Sequence, residues 1–98
     1  MTRDLGKLTA LAAARAKLPG MYADGGGLYL QVSASGRSWI FRYQHAGRGH
    51  YMGLGPAAVV SLAAARGKAH EARKALAEGR DPIAARRAAE AALAAAAA

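Results

Sequence analysis

The 98-residue chain has no cysteine, which removes disulfides and thiolate metal centres from consideration. Acids are scarce: Asp4, Asp24, Glu71, Glu78, Asp81 and Glu90 are scattered, with no pair suited to general acid–base work. Large core-forming groups are few as well, with one Trp, one Phe and four Tyr, and alanine supplies most of the 53% apolar fraction. Such a chain can bury one modest core and has little room for a deep substrate cavity. The longest apolar run, Ala91 to Ala98, is too short to cross a bilayer. The opening Met1 to Gly6 is polar and lacks an apolar run of signal-peptide length, so no leader is expected and a cytoplasmic location is the default.

What the chain does have is positive charge. Fourteen Lys and Arg against six acids give a net charge of +8, a balance that favours a polyanionic partner. Its length allows one domain.

Along the chain, the pattern changes period twice. Residues 7–18 read as a short helix with Thr9 as N-cap and Pro19-Gly20 as its stop. Met21-Tyr22-Ala23 is a short extended piece, followed by an Asp24-Gly25-Gly26-Gly27 turn. Leu28 to Val32 then alternates, with Leu28, Leu30 and Val32 on one side and Tyr29 and Gln31 on the other. Ser33 to Gly36 makes a tight connection to a second strand, Arg37 to Gln44, in which Trp39, Phe41 and Tyr43 share a face. Three aromatics outweigh Ile40, so the Trp39 face is expected to point inward. After Ala46 to Gly49 a third strand spans His50 to Leu54. Ser61 caps a helix that runs to about Glu78, with Gly79 in the C′ position and Leu62, Ala65, Ala69, Ala72 and Leu76 on one face. Asp81-Pro82 restarts a helix, but from Ala84 onward it is nearly all Ala, Arg and Glu, without a stripe that demands packing.

The expected architecture is therefore α+β: a three-stranded antiparallel sheet flanked by a short N-terminal helix and a longer C-terminal helix, followed by a linker helix. Residues 1–79 form the domain, and residues 80–98 the Ala-rich linker.

Gly25-Gly26-Gly27 precedes a strand, whereas a dinucleotide fingerprint follows a strand and opens a helix, so the run reads as turn chemistry. His45, His50 and His70 have no metal-site spacing, and no metal or cofactor is expected. The outward sheet face is more informative. Tyr29, Gln31, Arg42 and Gln44 project from it, with Tyr51 on the third strand and Arg37 and Arg48 at the hairpin ends. Amides can read base edges, and arginines can bind phosphate or guanine. Arg66 and Arg73 could reach phosphates if their side of the helix meets the duplex. The bland alternative is a solvated face whose tyrosines serve strand propensity.

Five ordered strings add to this reading: Asp24 to Val32, Ser38 to Tyr43, Met52 to Gly55, Ser61 to Arg66 and Gly79 to Ile83. Together, over about residues 8–87, the chain resembles the N-terminal arm-binding domain of P4-type phage integrases, which are tyrosine recombinases. The resemblance implies a three-stranded sheet that binds double-stranded DNA at arm-type attachment sites and anchors a recombinase for integration or excision. It implies a non-catalytic piece whose linker leads toward a core-binding domain, and it gives none of Tyr22, Tyr29, Tyr43 or Tyr51 the nucleophile's role. Two departures stand out. Ala64 replaces an acid that would complete a capping box after Ser61, and Gly49 interrupts a basic run in the last hairpin. The expected partner is duplex DNA, with other recombinase subunits as a second candidate and neither a membrane nor a small-molecule substrate. The rival readings are a protein-interaction module within a recombinase assembly and a small RNA-binding protein.

Overall fold

The structure, a computed structural model, describes residues 5–97; residues 1–4, part of the polar opening discussed above, and Ala98 lie outside it. Thr9 begins the first element, its hydroxyl accepting the Ala12 N–H at 3.0 Å. Helix α1 (Ala10–Arg15) is shorter than its alanine content suggests, because a helix of this length gains little on its own and only Ala13 is buried.

The chain then enters a four-stranded antiparallel meander in sequence order: β1 (Gly20–Gly25), β2 (Leu28–Ser33), β3 (Gly36–His45) and β4 (Arg48–Pro56). The expected three-stranded sheet is corrected here. Met21-Tyr22-Ala23 is the core of a full strand, with Met21 opposite Gln31 and Ala23 opposite Tyr29. Three small residues in six hid it, since Gly20, Ala23 and Gly25 give no β-branched signal.

Gly27 makes the β1–β2 turn possible. It has φ +92°, and a Cβ there would lie 2.6 Å from the Arg42 carbonyl oxygen. That proximity lets the Arg42 N–H donate to the Gly27 carbonyl at 2.8 Å. The last hairpin is tighter than expected: Ala46 and Gly47 both take positive φ, the geometry of a two-residue loop whose twist matches that of the flanking strands. His45 and Arg48 are thereby paired and both strands lengthen.

Alternation places Leu28, Leu30, Val32, Trp39, Phe41, Tyr43, Met52 and Leu54 on one face, all buried. Helix α2 (Leu62–Ala77) covers it with Leu62, Ala65, Ala69, Ala72 and Ala75. The Ser61 hydroxyl accepts the Ala64 N–H at 3.1 Å. At the far end Gly79 and Arg80 donate to the carbonyls of Leu76 and Ala75, with Gly79 at φ +79°, so the expected stop is a Schellman closure. Trp39 Nε1 donates to the Val60 carbonyl at 2.7 Å, tying β3 to the segment that enters α2.

Helix α3 (Pro82–Ala97) is attached at its start and exposed beyond. Pro82 is buried, Ile83 packs on the core, and the Asp81 carboxylate accepts from both the Ile83 N–H and the Tyr43 hydroxyl. Burial and then this Asp81 bond push the Tyr43 hydroxyl up to about 12, so it stays a donor. The same bond holds Asp81 below the usual carboxylate range.

Asp24 is the one buried charged residue among those described. Its carboxylate accepts from Arg66 Nε and Nη2, each at 2.9 Å, and from the Leu8 N–H at 2.8 Å. Arg66 Nη2 also donates to the Leu8 carbonyl. One ion pair thus joins β1, α2 and the segment before α1. The Arg66 hydrogen bond holds the Asp24 pKa below its ordinary 3.8 against the opposing effect of burial. The folded state therefore holds fewer protons than the unfolded chain in acid, so this stabilisation is complete above the ordinary carboxyl pKa. It is lost as pH falls through the lowered one. Asp24→Asn should destabilise the domain by about 2 kcal/mol at neutral pH. Urea unfolding from pH 7 to pH 3 should show the gap to the parent closing in acid; a pH-independent gap would rule this account out.

Candidate nucleic-acid interface

Among the described residues, no helix lies on the opposite face of the sheet. Its side chains come from the other alternation: Met21 and Ala23 on β1, Tyr29 and Gln31 on β2, Ser38, Ile40, Arg42 and Gln44 on β3, and Tyr51 on β4. Gln31, Arg42, Gln44 and Tyr51 are exposed, and Tyr29 is half-buried. Arg42 stands opposite Tyr51, its guanidinium carbon 5.8 Å from the ring centroid. That stacking orients the cation without consuming its hydrogen-bond donors. Five of the seven sequence-derived residues, Tyr29, Gln31, Arg42, Gln44 and Tyr51, therefore share one surface.

Arg37 and Arg48 do not join them on that face. Arg37 has the same alternation as Trp39, and its Nη1 donates to the carbonyls of Ala13 at 2.8 Å and Ala14 at 2.6 Å. Those carbonyls close α1, where a helix has unpaired acceptors and a partial negative charge. Arg48 pairs with His45 at the last hairpin and is exposed at the end of the sheet. Arg66 and Arg73 are likewise turned to the fold: Arg66 grips Asp24, and Arg73 Nη1 donates to the Gly26 carbonyl at 3.0 Å.

Two contributors escaped the sequence reading. Lys7 joins Tyr29, Arg42, Gln44 and Tyr51 around an open depression at the end of the sheet that holds the β1–β2 and β3–β4 turns. Arg86, assigned to the linker, reaches back from α3 so that its Nη1 donates to the Gly53 carbonyl. The Asp81-Pro82 start was a usable signal, since it sets Arg86 in the second turn of α3. Nothing local announced its partner. Of the histidines, His50 stacks on the Tyr43 ring with centroids 5.1 Å apart, and His70 is exposed on α2.

The molecule is thus an α+β module with one sheet face packed by a helix and the other presenting Tyr29, Gln31, Gln44, Tyr51 and one cation, Arg42. The family described as Arm DNA-binding domain matches residues 6–89, and the chain belongs to it. It is 44% identical over 63 residues to the integrase of Enterobacteria phage P4, covering 61% of this chain and 14% of that protein. It is 38% identical over 78 residues to the integrase of Shigella phage Sf6, and equally to the prophage integrase IntS of Escherichia coli K12. In both, 79% of this chain and 20% of the relative are covered. The chain spans about a fifth or less of the length of these curated relatives. No helix among the described residues is long and apolar enough to cross a membrane.

The two kinds of arginine should separate in a melting experiment. Arg37→Ala leaves the α1 carbonyls without their donor and should cost about 1–2 kcal/mol. Arg42→Ala should change stability by no more than about 0.5 kcal/mol. Thermal melts followed by circular dichroism test both; equal losses would show that Arg42 also supports the fold.

Proposed function

We propose that the bare sheet face lies against duplex DNA at an arm-type attachment site and so anchors a tyrosine recombinase during integration or excision. The observation that carries this reading is the convergence of Tyr29, Gln31, Arg42, Gln44 and Tyr51 on the sheet face that no described helix covers, in a chain with net charge +8. A sheet ribbon can enter the major groove. Gln31 and Gln44 offer paired donors and acceptors to base edges, and Arg42 offers a fork suited to guanine or phosphate. Lys7 and Arg48 supply charge at the sheet end. Family membership supports DNA as the partner, and the names of the relatives support recombination as its setting. In this reading the sheet of residues 1–79 supplies the binding face, residues 80–98 lead from the Arg86 contact at β4 toward the rest of the enzyme, and cutting and joining are done elsewhere in the recombinase.

Fluorescence anisotropy with an arm-site duplex tests the proposal. If Lys7, Arg42 and Arg48 each neutralise a phosphate, affinity should fall about 40-fold between 50 and 200 mM salt. Arg42→Ala should cost about 1–3 kcal/mol of binding where Arg42 meets a base. Arg37→Ala, measured below its melting temperature, should bind like the parent. Absence of duplex binding at low salt would refute the proposal; preference for single-stranded RNA in competition would move the protein to the other nucleic-acid class.

A further inference from the structure

β4 is an edge strand, and its free edge differs from an ordinary one. The two-residue loop makes His45 and Arg48 the first pair to exchange both backbone hydrogen bonds. Tyr43 with His50 and Phe41 with Met52 follow in the same phase. The N–H and C=O groups of Gly49, Tyr51 and Gly53 therefore point away from β3, along the open edge. The Arg86 contact to the Gly53 carbonyl agrees with this phase. The same three residues also belong to the bare face, since they stand opposite Gln44, Arg42 and Ile40.

Two of the three are glycines that the fold does not require. A Cβ at Gly49 or Gly53 would meet nothing within 4 Å, and neither has a left-handed φ. At Gly27 and Gly55, by contrast, a side chain would strike the Arg42 carbonyl or Val60. Glycine weakens a strand interior, and here no turn or close packing offsets that cost. What these glycines provide is bare backbone on either side of Tyr51, and the outward amides of the three residues stand about 6.8 Å apart.

Charge decides what such an edge receives. An unpaired edge invites a second strand, but cations frame this one, with Arg48 beside Gly49 in sequence and Arg86 bonded at Gly53. Another copy of a +8 chain would be repelled, whereas an anion rich in acceptors would be held.

We propose that the free edge of β4 is a phosphate track, in which the outward N–H groups of Gly49, Tyr51 and Gly53 donate to phosphodiester oxygens of one DNA strand. Arg48 and Arg86 flank it. The track rests on the DNA-facing reading above and adds to it a backbone contact that carries no sequence information but sets how deeply the sheet sits. In this account Gly49 does more than interrupt a basic run: it replaces a side-chain cation with an accessible amide.

Gly49→Pro is the direct test. Proline at an edge position whose N–H faces outward removes that donor and spares the ladder to β3. Duplex affinity should fall roughly tenfold, the loss of one hydrogen bond to a charged group, with the melting temperature kept. Gly53→Val, which adds bulk where the fold has space, should weaken binding without loss of stability, and it provides the readout if the proline variant does not fold. Arg86→Ala should flatten the dependence of log affinity on log salt by about one. If the parent binds no duplex, the DNA-facing reading fails and the track with it. If the parent binds and the folded Gly49→Pro and Gly53→Val variants bind equally well, the track alone is overturned. It is also overturned if light scattering shows a dimer of the parent that Gly49→Pro dissolves, because the edge would then belong to a second copy.

Discussion

The packing of an alanine face against an aromatic row is the contact on which this small domain depends. Trp39, Phe41 and Tyr43 stand side by side along β3, and Ala65, Ala69 and Ala72 of α2 are buried in the same cluster. Small residues let the helix backbone approach closely, so the few large side chains are sealed with little apolar material. Each large apolar group so buried is worth about 1.5–3 kcal/mol. A single helix cannot cover both faces of a four-stranded meander, and the other face is left to solvent. The composition that makes the core economical in large residues is therefore also what keeps the sheet one-sided.

Net charge alone would misjudge that open face. Arg37, Arg66 and Arg73 all carry positive charge, yet each gives hydrogen-bond donors to the fold: to the end of α1, to Asp24, and to the β1–β2 turn. The three share a task, since short segments with little apolar content are held by charge-assisted hydrogen bonds where packing is thin. Arg42 faces the other way, its guanidinium over the Tyr51 ring. One residue type thus divides into fold-holding and surface-presenting sets, and strand alternation or helix phase decides which.

Much of this was legible in the sequence because period and caps are local. The alternation from Leu28 to Val32, the aromatic spacing of Trp39, Phe41 and Tyr43, the Ser61 cap and the Gly79 stop each state their structure within a few residues. Both alternations predicted which side chains share the bare face, and Tyr29, Gln31, Arg42, Gln44 and Tyr51 do share it. That Met21-Tyr22-Ala23 belongs to a full strand of the sheet was not legible. The pairing partner of β1 lies in β2, and half of its own residues are too small to show a pattern. Nor was the engagement of Arg37, whose acceptors lie 23 and 24 residues earlier. Arg86 and Gly53 are separated by 33 residues, and only the anchoring of Asp81 and Pro82 brings the helix back to the sheet. Contacts of that range depend on tertiary geometry that no local window contains.

The two faces of the sheet are bound together by arithmetic. With a side-chain period of two, a one-residue slip of β3 would bury Arg42 and Gln44 and expose Trp39 and Phe41. Burying those polar groups without partners would cost far more than any single contact on the outer face returns. The aromatic row consequently guards the identity of the bare surface while touching none of it. Outer residues such as Gln31 and Gln44 can change with little effect on stability, because the register that presents them is set from behind. A domain built this way can vary what it presents and keep how it folds. The edge of β4 follows the same logic, for its outward amides are placed by the phase of a hairpin whose inward residues are buried.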